Sequence, residues 1–175
     1  MSMTRLRQAS LLALAVALGL GLARPALTQD YSSWNCTRVQ GNLTEVVVDP
    51  RSAPFDTFGR VVSTTDGDLP SVGTAILTGV GPGSAPGTLG AKADRWMVLN
   101  PNDHIYATDA VVLTPIPNTP DVNDVVTITL RGGRGKYERA AGQIVATGRG
   151  YNFFPGPVAG KTYFAFRYTG EVCIP

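Results

Sequence analysis

Residues 132–150 read GGRGKYERAAGQIVATGRG, and six glycines fall within those nineteen positions. Glycine at this density is used in two quite different ways. One is a phosphate-cradling loop, in which G-x-G-x-x-G must follow a strand and open a helix. Gly133-Arg134-Gly135 follows a strand, but KYERAAGQIVATGRG is no amphipathic helix, since Gly142 and Gly148 interrupt it, and no Gly-Lys-Ser/Thr is present. The other is the corner of a small β-barrel, where glycines mark bulges, tight bends and close backbone approach. The segment fits the corner. Gly132, Gly133 and Gly135 break a strand ending near Arg131, Tyr137 packs as an aromatic plug beside the bend, and Gly142 starts the next strand.

The rest of the chain agrees with an all-β reading. Short β-branched and aromatic runs are punctuated by Gly, Pro, Asn and Asp, and no long helical period interrupts them. The final run, KTYFAFRYTGEVCI, alternates: Thr162, Phe164, Phe166, Tyr168, Val172 and Ile174 share one face, and Lys161, Tyr163, Arg167 and Glu171 the other. Val126, Ile128 and Leu130 alternate in the same way against Val125, Thr127, Thr129 and Arg131. Such strands are half buried. Seven to nine of them with short connections predict a sandwich or a barrel.

The N-terminus predicts export. Arg5 and Arg7 precede the uncharged apolar run LLALAVALGLGLA, which is short for a membrane span and ends in small residues. Residues 1–23 are read as a signal peptide, with a cut after Ala23 or a few residues later. Residues 24–41 follow as an N-terminal segment and 42–175 as the barrel. Without Arg5 and Arg7 the chain carries 13 basic and 13 acidic residues with no Lys/Arg cluster, so a nucleic-acid partner is not expected. Stable membrane insertion is not expected after cleavage. The destination is secreted, periplasmic or extracellular. There an even cysteine count favours a disulfide between Cys36 and Cys173. Barrel closure sets the first and last strands side by side, where such a bond can reach. One histidine and no C-x-x-C leave no metal set in view.

The string GGRGKYERAAGQI resembles the G-G-x-G-x-[FY]-x-x-A-x-G signature of the allene oxide cyclase and dirigent barrels, matching at Gly132, Gly133, Gly135, Tyr137, Ala140 and Gly142. DHIYATDAVVL, DVVTITLRGG and TYFAFRYTGEV follow the order of that family's later strands. The resemblance implies a single antiparallel eight-stranded, calycin-like barrel, commonly a homotrimer. Its apolar cavity would bind a small hydrophobic molecule and steer its cyclisation or coupling without a cofactor. At the position before the last glycine, where dirigent proteins often carry an acid–base arginine, this chain has Ala141.

Candidate site residues come from charge on apolar faces and from aromatic polar tips. Asp109 shares a face with Ile105, Ala107, Val111 and Leu113, a costly place for a carboxylate unless it is paired. Arg95 and Arg131 are its candidate partners, with Tyr106 beside them as a further catalytic candidate. The other reading of Asp109 is an edge-strand charge. Tyr163, Tyr168 and Trp96 are candidate ligand contacts, set against the ordinary packing role of strand aromatics. Asp103-His104 is read as part of a hairpin turn in preference to an acid–base pair. Beside the cyclase-like barrel stand two alternatives: a non-catalytic structural or surface interaction module with a side-chain-filled interior, and a lipocalin-like carrier.

Overall fold

The computed structural model describes residues 33–50 and 59–175. The expected signal peptide and the first part of the expected N-terminal segment lie outside the described residues. Eight strands follow one another: β1 (Asn35–Asp49), β2 (Arg60–Thr65), β3 (Ser71–Pro82), β4 (Leu89–Val98), β5 (His104–Pro115), β6 (Val122–Arg134), β7 (Ala141–Tyr151) and β8 (Tyr163–Ile174). Each pairs antiparallel with the next, and β8 returns to β1, so the sheet closes into an up-and-down barrel. Closure removes the unpaired edges on which strands otherwise aggregate. Asp109 is therefore not an edge charge.

Period two decides what faces inward. Leu43 and Val47 of β1, Val126 and Ile128 of β6, and Phe164, Phe166 and Tyr168 of β8 are all buried. The residues that alternate with them, Thr44, Val46, Thr127, Ala165 and Arg167, are exposed or half-buried. The barrel begins at Asn35, not at 42. Residues 35–42 pair with β8 and not with β2, which is short. Where β2 stops, the β2–β3 turn continues in its place. The Asp66 and Asp68 carboxylates accept from the Asn42 and Gln40 amides at 2.8 and 2.9 Å. The Asn42 Nδ2 also donates to both Asp66 carboxylate oxygens, and the bonds from Asn42, side chain first and backbone amide next, hold the Asp66 carboxyl below its usual range.

Cys36 and Cys173 are directly opposed across β1 and β8 and form a disulfide that spans 137 residues of chain. That end of the barrel also holds the glycine corner. β6 does not stop near Arg131 but runs on to Arg134, because a bulge absorbs the extra residues. Pairing with β5 jumps from Ala107–Leu130 to Ile105–Gly133, which leaves Arg131 and Gly132 opposite Tyr106. Gly132 has φ +85°, and a Cβ there would sit 2.6 Å from the Glu138 carbonyl oxygen. Gly135–Tyr137 form a 3-10 turn, and Tyr137 is buried as the plug the sequence predicts. At the opposite end Phe153 is buried, and its amide donates to the Pro120 carbonyl at 2.8 Å.

Candidate functional site

The predicted residues separate into two groups on opposite sides of the barrel wall. Arg95 and Asp109 point inward and meet. The Arg95 Nε donates to both Asp109 oxygens, at 3.1 and 2.8 Å, and its Nη2 lies 2.7 Å from Oδ2. The same Nη2 reaches across the barrel to Glu45 of β1. Asp124 of β6 is the third buried acid, only 3% exposed, and its Oδ1 has no hydrogen-bond partner among the described residues. One guanidinium thus bonds two interior carboxyls, Glu45 and Asp109, while the third, Asp124, feels its charge only through space.

Burial would by itself lower the pKa of Arg95. The Glu45 and Asp109 carboxylates more than offset this and hold it above its usual range. Burial raises Glu45, with Arg95 opposing and Asp109 reinforcing the shift. Asp124 is pushed well above the usual carboxyl range by burial first and by Glu45 next. An unpaired carboxylate in an apolar interior is costly, and the protonated acid is the cheaper form. Glu45 and Asp124 escaped the sequence reading although the signal was present. Glu45 is in phase with Leu43 and Val47, and Asp124 with Val126 and Ile128, as Asp109 is with its own apolar neighbours.

Among the described residues, one void borders the guanidinium. The void lined by Leu43, Leu69, Arg95, Met97, Ile144 and Tyr168, among others, is about 10 Å³, enough for roughly one water. Tyr168 is not a cavity hydroxyl. Its OH donates to the Asp66 carbonyl at 2.6 Å and accepts from the Leu69 amide at 3.1 Å, which pins the β2–β3 turn.

The remaining candidates, Arg131, Tyr106, Trp96 and Tyr163, point outward and do not meet Asp109's carboxylate. Trp96 and Tyr106 are cross-strand partners with ring centroids 6.0 Å apart, and His104 packs 5.6 Å from Trp96. Arg131 sits beside Tyr106 at the bulge and donates to Thr108 Oγ1 at 3.3 Å. Tyr163 lies elsewhere on the outer surface, stacked 4.7 Å from Tyr151. Asp103 keeps to its turn: its carboxylate accepts from Asn100 Nδ2 and from the Lys136 amide, and those bonds depress its pKa.

This is a closed, antiparallel, up-and-down eight-stranded barrel with ionisable side chains buried in its interior and aromatic side chains on its outer face. Comparison with family models, curated proteins and solved structures finds no match for the chain.

Proposed function

We propose that this chain is an exported, disulfide-closed barrel that works as a non-catalytic interaction module, with its interior as scaffold and its outer face as the binding surface. One contrast carries the reading. Trp96 and Tyr106 stand 46% and 42% exposed on the outer sheet, whereas the described void beside Arg95 admits about one water. Barrels of this strand number are filled by side chains or hold one small ligand, and the filling here favours the first. Exposed aromatics on a rigid sheet are the usual anchors of a binding surface. Native mass spectrometry of the unreduced protein from its own source tests this. A barrel without a bound small molecule is expected. A stoichiometric apolar adduct would overturn the module in favour of a carrier.

A second reading keeps the cofactor-free cyclase or isomerase suggested by the signature resemblance. The unpartnered Asp124 Oδ1 favours it, because a buried acid that retains its proton is suited to general-acid work. Here Asp124 would donate a proton while Arg95, held by Glu45 and Asp109, orients an oxygen of the substrate. Turnover abolished by Asp124→Asn, with the fold intact, is the result that reading requires. The homotrimer and the small hydrophobic ligand belong to this second reading.

A further inference from the structure

Beside Trp96 and Tyr106 the outer wall carries a groove of about 290 Å³ lined by Lys92, Asp94, Thr108, Thr129 and Arg131. Strand register makes the two features continuous. Asp94 pairs with Thr108, and Thr108 with Thr129, one outward step along the strands from the Trp96–Tyr106 pair. Outward side chains two residues apart on a strand are spaced by roughly 7 Å, about the width of a sugar ring. Thr78, Thr108, Ala110 and Thr129 are among the lining residues, so small side chains and hydroxyls border the groove.

Charge narrows the occupant. Lys92, Arg131 and Asp94 reach the same groove, yet Asp94 forms no ion pair with either cation among the described residues. A strongly charged ligand would be attracted by one sign and repelled by the other. A ring bearing vicinal hydroxyls uses both signs: hydroxyls donate to Asp94 and the threonines and accept from Lys92 and Arg131. The apolar C–H face of such a ring lies on exposed indole and phenol rings, which carry an apolar body and a polar tip. A concave surface with a few converging polar groups, here bordered by the Trp96–Tyr106 pair, is a common form of small-ligand site.

On the module reading, we infer that the Lys92–Arg131 groove, together with the adjoining Trp96–Tyr106 face, is a carbohydrate-binding site that docks the exported barrel on a polysaccharide. The test uses the full mature protein in affinity gels containing the uncharged polymers soluble xylan or β-glucan, together with pull-down on insoluble cellulose and chitin. Retardation or capture by at least one polymer is expected. Trp96→Ala and Tyr106→Ala weaken it by roughly tenfold, and Arg131→Ala and Asp94→Asn weaken it as well. Tyr163→Ala, an exposed aromatic away from the groove, leaves it unchanged. Circular dichroism of every variant confirms the barrel.

Three results overturn the site. The first is no retention by any of the polymers, and the second is retention indifferent to Trp96→Ala. The third is self-association of the wild type that Trp96→Ala abolishes without any glycan retention. In that last case the aromatic face, with its neighbours Val62, Val72 and Ile76, is a protein interface, and the module reading stands while the carbohydrate reading falls. An apolar adduct in native mass spectra, by contrast, removes the module reading itself.

Discussion

Tyr168 shows how much one side chain does here. Its phenol crosses from β8 to the β2–β3 turn, and both of its hydrogen bonds end on backbone groups about a hundred residues away in sequence. Tyr168→Phe leaves the Leu69 amide and the Asp66 carbonyl without that partner. Loss of a buried partner costs about 1–3 kcal/mol, to be seen as a lower urea midpoint with an unchanged slope. Gly132 is constrained for a different reason. Its left-handed φ and the nearby Glu138 carbonyl both disfavour a side chain, so Gly132→Ala is expected to lose on the order of 1–3 kcal/mol. The glycine was readable from the sequence because positive φ selects residue type directly. The phenol's partners were not, because they depend on which turn lands above β8.

At the scale of elements, β1, β4, β5 and β6 each deliver an ionisable residue to the interior. Asp109 was legible because a carboxylate broke an apolar alternation. Its partner was narrowed only to Arg95 or Arg131, and register decides between them. Ala93 faces Asp109 across β4–β5 and Arg95 follows on the same inward face, whereas Arg131 sits on the outward side of its bulge. Replacing Arg95 by Met removes the cation and leaves Glu45 and Asp109 buried without it. Breaking a buried ion pair from one side costs about 3–5 kcal/mol. Denaturation of Arg95→Met should show that loss at neutral pH and a partial recovery in acid, where the carboxyls are protonated. A loss independent of pH would mean that packing, not charge, is what Arg95 supplies.

The whole molecule inherits a pH dependence from that interior. Glu45 and Asp124 have folded pKa values raised above their ordinary 4.5 and 3.8. The folded state therefore holds protons that the unfolded chain has released. Their contribution is fully present below those ordinary values and is lost as pH climbs through the raised ones. Asp66 and Asp103, whose pKa values are lowered, act in the opposite sense: their contribution is present above 3.8 and is lost in stronger acid. The thermal midpoint should thus peak in mild acid and decline toward neutral pH. Asp124→Asn should flatten the decline; an unchanged slope would remove Asp124 as its source. The disulfide acts on the unfolded chain. Closing a loop of 137 residues is worth about 2–5 kcal/mol, so Cys36→Ser/Cys173→Ser should lower the midpoint markedly at every pH.

Alternating strands, the glycine corner, the plug at Tyr137 and the pairing of Cys36 with Cys173 were determined by the sequence alone. Each rests on a local rule: a period of two, a backbone angle only glycine takes readily, or the only two cysteines in the chain. Only the tertiary structure decided that Trp96, Tyr106 and Arg131 face outward while Arg95 and Asp109 face in. It alone brought Glu45 and Asp124 to the same centre. Adjacent residues on a strand point to opposite faces, so Arg95 and Trp96 had to part. Which of the two entered the barrel was settled by closure, because only then do the inward faces of distant strands share one interior.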